Sequence, residues 1–223
     1  MGRVASRRVL FGLLAAVVVA LISAGAVVAA NPGKEKIALT KAGNKRARAE
    51  VLHSADVGAG WSGAFKKPHL PATLDCSYRP KQSDLVVVGA AESVWQKPAF
   101  VIDSGAQVLK TAAMVAKDWR RTVVAPQVTP CLRQSLVKGL GSGGKLVSFG
   151  RVAFPHIAKR VRAYRAVVDV KSSVGTVPLD VDVLAIGAGR NELNLTISGP
   201  KKARNSLTRV EKRMARLMVS RAR

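Results

Sequence analysis

Apolar and polar residues change period several times along the chain, and each change marks an element. Leu193, Leu195 and Ile197 alternate with Glu192, Asn194 and Thr196, the two-residue period of a half-buried strand. Three further strands are predicted over 145–154, 160–171 and 176–186, separated by Pro155-His156, by 172–175 and by 187–190. Consecutive strands joined by short turns form an antiparallel meander. Upstream, 85–95 is valine-rich and free of proline, a strand with Gly89 as a candidate bulge.

Between these strands the period lengthens. Val108, Ala112, Val115, Trp119 and Val123 step by four, three, four and four, which predicts a helix over 104–124. Pro126 and Pro130 end it, 131–138 reads as a short second helix, and four glycines within 139–144 make a flexible turn. Over 201–223 Leu207, Val210, Met214, Leu217 and Met218 share one helical side. Near the start, 34–50 is Ala-rich and charged, a short helix with Thr40 as its N-cap. A glycine-rich turn over 56–61 closes that helix, and Pro68, Pro71 and Pro80 make 66–82 an irregular loop. This order predicts an α+β fold, an antiparallel β-sheet of about four to six strands packed with helices.

The first thirty residues stand apart. Arg3, Arg7 and Arg8 precede an uncharged run from Val9 to Ala30, and Val28 and Ala30 occupy the small positions ahead of Asn31-Pro32-Gly33. This is a signal peptide cut before Asn31, or an N-terminal membrane anchor, since the run approaches the roughly 20 residues that span a bilayer. Either fate exports residues 31–223. No cysteine precedes Cys76, so there is no lipid-attachment site in the leader. The expected organisation is a leader over 1–30, a charged linker and start of the first helix over 31–50, and one exported domain over 51–223.

Charge and cysteine content refine that picture. The 223 residues carry 37 Lys and Arg against 13 Asp and Glu, a net charge of +24. Nine cations lie within 201–223 (Lys201, Lys202, Arg204, Arg209, Lys212, Arg213, Arg216, Arg221 and Arg223) against Glu211 alone. A basic amphipathic helix suits an anionic membrane or a phosphate-bearing wall polymer, and Lys201, Lys202, Arg204, Arg209, Lys212, Arg213 and Arg216 are its candidate contacts. The competing reading packs the apolar stripe on the sheet and leaves the cations solvated. No aromatic residue interleaves these cations, which argues against specific nucleic-acid binding. In an exported protein the two cysteines, Cys76 and Cys131, form one disulfide.

The chemical motifs are weak. Residues 139–145 match the spacing of a phosphate loop, but the predicted helix comes before them and the strand after, and Leu146 stands where the loop needs Ser or Thr. Ser142 fails the nucleophile-elbow pattern because Leu140 replaces its first glycine. His53, His69 and His156 have no partners at metal spacing, so neither a metal nor another cofactor is expected. Asp180 and Asp182 share one strand face and are expected to pair with Arg160, Arg162 or Arg165 on the preceding strand.

The run from Leu52 through Asp56-Val57-Gly58 to Gly60-Trp61 is succeeded by Cys76, the Ala-rich stretch over 105–124, Cys131 and the closing helix. In this order of features the chain resembles actinobacterial exported sensor domains, the PknH-like extracellular domain and its secreted relatives. The resemblance spans about residues 50 to 221 and implies a PsbP-like α/β sandwich that senses or binds a ligand without catalysis. It departs in carrying no kinase domain, in having one candidate disulfide and in its strong positive charge. The expected function is an exported, non-enzymatic ligand-binding or sensor-like domain of the bacterial cell envelope. Its partner is an unknown small or lipid-like ligand, with Trp61, Trp95 and Trp119 as candidate pocket residues. The alternatives are an envelope protein that binds polyanions or membrane surfaces through its basic face and, third, a hydrolase with an unrecognised site.

Overall fold

The computed structural model describes residues 35–68, 70, 76–172 and 175–223. Eight strands form one sheet: β1 (Lys36–Ile37), β2 (Ser62–Lys66), β3 (Val86–Lys97), β4 (Phe100–Leu109), β5 (Gly144–Val152), β6 (Arg160–Ser172), β7 (Gly175–Ala188) and β8 (Asn191–Pro200). Five helices accompany them: α1 (Lys41–Glu50), α2 (Ser54–Val57), α3 (Ala112–Asp118), α4 (Val128–Leu140) and α5 (Arg204–Ala222). The strand order is β1-β3-β4-β8-β7-β6-β5, with β2 also paired to β3. All pairings are antiparallel except β1 with β3. The expected α+β class and the four-strand meander are present. The strand count is larger than four to six, because β1, β2 and β4 carry no alternating signal of their own.

The largest correction concerns 104–124, where a single helix was expected. Val108 lies in β4, and helical structure starts only at Ala112. Strand β4 is hydrogen-bonded on both sides, to β3 and to β8, and almost every one of its residues is buried. A strand covered on both faces loses its polar alternation, and its small residues then mimic a helical stripe. The hairpin that creates it turns on Pro98-Ala99, with Ala99 at φ 65°, so no Gly or Asn announces the turn.

Helices cover both faces. On the first, α1 and α5 lie side by side over Ile102, Leu184, Leu195 and Ile197, joined by Arg46 donating to the Ala222 carbonyl and Arg221 to that of Val51, each at 3.2 Å. Ala47 and Glu50 of α1 are completely buried, so the segment read as a linker contributes to the core. Thr40 caps α1 as expected, its Oγ1 accepting from the Gly43 amide at 2.9 Å. On the second face, α4 packs over Val168, Val170, Leu179 and Val181. Cys131 of α4 is bonded to Cys76, with their Cα atoms 5.4 Å apart. The phosphate-loop-like run ends α4 and opens β5, a helix-to-strand turn with the wrong polarity to cradle phosphate.

Candidate functional site

The second face is apolar beneath α4 and in a smaller cluster of Val87, Leu109 and Val115 beside α3. Toward its other end the sheet register builds polar rows. Glu92, Gly105, Asn194, Ala185 and Arg162 stand abreast on β3, β4, β8, β7 and β6, and Ala90, Gln107, Glu192, Gly187 and Arg160 form the next row. Glycine and alanine separate the long side chains throughout the first row, and in the second they flank the adjacent pair Gln107 and Glu192, so the floor is indented. A Cβ on Gly105 would lie 2.1 Å from Asn194 Oδ1, which shows how closely the amide lies against that backbone.

A roof closes over this floor. After α3 the chain widens into a π-helical turn, Trp119–Val123, with the Val124 amide donating to the Trp119 carbonyl at 3.1 Å. Such turns leave carbonyls without helical partners. Tyr78 donates to the Arg121 carbonyl at 2.6 Å and Tyr164 to that of Val123 at 3.3 Å, so both tyrosines of the chain hold this turn. Arg121 in turn forks onto Asp84 at 2.7 and 3.2 Å, and Lys117 joins the same carboxylate at 2.9 Å.

Between floor and roof lies a cavity of about 60 Å³ walled by Glu92, Gln107, Glu192 and Asn194 below and by Asp118, Trp119 and Thr122 above. Gln107 Oε1 and Asn194 Oδ1 are shielded from solvent and have no hydrogen-bond partner among the described residues. The cavity shares Pro68, Leu70, Ala90 and Glu92 with a wider groove of about 390 Å³ that also includes Ile37, Leu39 and Phe65.

The electrostatics beside the cavity follow from burial. Asp118 and Glu192 are hydrogen-bonded to each other, and Gln82 Nε2 donates to Asp118 at 3.2 Å and to Glu35 at 3.3 Å. Burial raises Glu35 to about 7, helped by the charge of Asp118. Burial also holds Glu192 well above the usual carboxyl range, reinforced by Asp118 and Glu35, and it raises Asp118 against several hydrogen bonds. Carboxyls this close together and this dry retain protons near neutrality. Among the described residues no group of His, Cys, Asp and Glu is arranged to hold a metal ion.

The candidate residues from the sequence scatter. Trp119 lies in the roof. Trp95 is in the opposite core, where its Nε1 donates to the Leu52 carbonyl and to Ser93 Oγ, each at 3.1 Å. Trp61 packs at the rim of that core with the Lys97 ammonium 4.8 Å from its ring centre. Their placement follows from the alternation of β3, where Trp95 points away from the side that carries Glu92. Of the basic set, Lys201, Lys202, Arg209, Arg213 and Arg216 are exposed and Lys212 is half-buried. Arg204 forks onto Asp180 at 2.6 and 2.7 Å. Arg165 takes Asp182 at 2.5 and 2.6 Å, so one of the two aspartates pairs with the preceding strand and the other with α5. His53 places Nε2 3.0 Å from the Arg48 carbonyl, His156 is exposed, and His69 lies outside the described residues.

Apart from Trp119, the cavity residues were missed because the polar side of β8 read as a solvated face. One signal was available: in a chain with 37 cations, Glu192, Asn194 and Thr196 include no Lys or Arg.

No family model and no curated protein matches the sequence. Among solved structures the chain is similar to the extracellular domain of PknH from Mycobacterium tuberculosis, at TM-score 0.47 and 9% identity, covering 80% of this chain and 95% of that one. It is also similar to LpqN of the same organism, described as involved in cell envelope biogenesis, at TM-score 0.31 and 11% identity over 70% and 83% of the two chains.

Proposed function

We propose that this protein is an exported, non-enzymatic ligand-binding domain of the cell envelope, and that the cavity under the π-helical turn is its binding site. The observation that carries the reading is the pair of partnerless acceptors, Gln107 Oε1 and Asn194 Oδ1, in a floor that also presents Glu92 and Glu192. Buried acceptors without donors are costly, at about 1–3 kcal/mol each, and a ligand that supplies donors recovers that cost. The site therefore suits a small molecule with an amine or hydroxyl head, and the adjoining groove with Leu39 and Phe65 suits an apolar part of the same molecule. The leader over 1–30 is the support for export, and its fate lies outside the described residues.

Native mass spectrometry of the salt-washed protein from an exporting host tests this. A stoichiometric added mass is expected, and Ala185→Leu, which fills the floor without adding charge, should abolish it. A bare protein mass in the unsubstituted chain, or an adduct unchanged by Ala185→Leu, would count against the cavity.

A further inference from the structure

The acidic residues are withdrawn from the surface of this basic protein. Every described Asp and Glu is buried or half-buried. Six of them, Glu50, Asp56, Asp84, Asp180, Asp182 and Glu211, are either in ion pairs with Arg or Lys or sealed in the core. Among the described residues the exposed ionic surface is consequently cationic, and the layer formed by α1 and α5 is a continuous part of it. There Lys41, Lys45 and Arg48 of α1 are exposed, as are Arg209, Arg213 and Arg216 of α5 and its flanking Lys201, Lys202 and Arg223. The only acids in the two helices, Glu50 and Glu211, are 0% and 3% exposed and face inward. Arg209, Arg213 and Arg216, with Ser220 and Arg223, succeed one another at helical spacing along the outward side of α5.

We infer that this two-helix layer is a docking surface for an anionic phospholipid bilayer. Two helices side by side present a broad cationic face, open to solvent even where Arg213 and Arg216 border a groove with Ala55 and Asp56, and such a face complements a charged plane better than a strand of polymer. Residues 31–34 separate the apolar leader from Glu35, which immediately precedes β1, and can span at most about 14 Å, so in the anchored form the domain stays close to the membrane. Among the described residues the large apolar side chains that are exposed (Ile37, Leu39, Val124, Val137 and Val147) all lie outside α1 and α5, so the contact is electrostatic adsorption without insertion. This surface does not include the cavity, which lies on the opposite face of the sheet; of the cations named here only Arg48 also borders the adjoining groove.

The full chain carrying a fluorophore at Asn205→Cys, an exposed position on α5, is mixed with vesicles that contain a headgroup-level lipid quencher. Vesicles of phosphatidylcholine are compared with vesicles in which about one third of the lipid is phosphatidylglycerol. Quenching is expected only on the anionic vesicles and should disappear by about 0.5 M NaCl, where the screening length is a few ångströms. Arg209→Gln/Arg213→Gln/Arg216→Gln should weaken it roughly 100-fold, at about 1 kcal/mol per cation. Equal quenching on both vesicles, no quenching on either, or an unchanged triple variant would overturn the inference. Full displacement by soluble polyphosphate at equal phosphate concentration would also overturn it, reassigning the face to wall polymers. The added mass of the ligand-binding test does not depend on these residues, so the two readings fail separately.

Discussion

The hydroxyl of Tyr78 donates to the carbonyl oxygen of Arg121 at 2.6 Å, from the loop beside the disulfide to the middle of the π-helical turn. The bond fixes a carbonyl that the widened helix leaves without a partner, and it holds the roof of the cavity. Tyr78→Phe is expected to cost about 1–2 kcal/mol in urea unfolding. It should also speed hydrogen exchange of the Val124 amide, whose bond to Trp119 closes the turn. Tyr164→Phe, whose bond to Val123 is 3.3 Å long, should cost less than Tyr78→Phe. Equal stability and unchanged exchange in Tyr78→Phe would mean that the roof does not depend on this contact.

Helix α1 meets the sheet where two glycines face each other. A Cβ on Gly43 would lie 2.0 Å from the Val88 carbonyl oxygen, and one on Gly89 would lie 2.1 Å from the Gly43 carbonyl carbon. Both obstacles are backbone, so no rotamer change relieves them. Gly43→Ala is therefore expected to destabilise by on the order of 3 kcal/mol. Gly150→Ala, in the edge strand β5 with open space around it, should stay within about 0.5 kcal/mol. Comparing the two denaturation midpoints checks the assignment, and similar midpoints would exclude a tight crossing.

Gly89 also shows what was legible in the chain. A lone glycine in a valine-rich run marked a bulge, and the pairing register does shift between Val87 and Gly89. The Thr40 cap, the meander and α5 were readable for the same reason, since each depends on residues close together in sequence. Strand β4 was not, because burial on both faces removed its alternation and Ala99 supplied a turn without the usual residues. The cavity was less readable still. Its floor joins Glu92, Gln107 and Asn194, which only the β3-β4-β8 register brings together, and its roof depends on a helix changing its hydrogen-bond spacing after Asp118. Nor could charge counting separate Arg204 from Arg213, although one serves the fold and the other faces solvent.

That division gives a direct test. Asp180 is 1% exposed and its carboxylate is held by Arg204, whereas Arg213 projects outward from the same helix. Arg204→Gln strands a buried carboxylate and should cost about 1–3 kcal/mol at neutral pH. The cost stays below that of breaking a fully buried pair because the Arg204 side chain is 40% exposed. Arg213→Gln should change stability by less than about 0.5 kcal/mol. A reversed order in guanidinium unfolding would show that the Arg204–Asp180 pair contributes nothing to the fold.

The buried carboxyls set the pH dependence of stability. Burial raises Glu211 to about 8, with the charge of Asp182 adding to the effect, and raises Asp103 to about 8 with help from Glu92. Burial likewise raises Glu35 and Glu50 to about 7. In the unfolded chain such groups titrate near 4, so between about pH 4 and pH 8 the folded state binds more protons. Stability must therefore fall as pH rises through that window and level off above it. At the acid end the sign reverses. Burial acts to raise Asp56, but its bonds to Arg221 outweigh it, while Arg121 and Lys117 hold Asp84 far below the usual range. Protonating these two removes stability below about pH 4. The melting temperature is expected to peak near pH 5 and to be lower at about pH 8. Glu211→Gln mimics the protonated side chain, so it should match the unsubstituted protein near the peak, exceed it at about pH 8, and flatten the decline between. A melting temperature that rises from about pH 5 to pH 8 would mean that these carboxyls are ionised in the folded state at no cost.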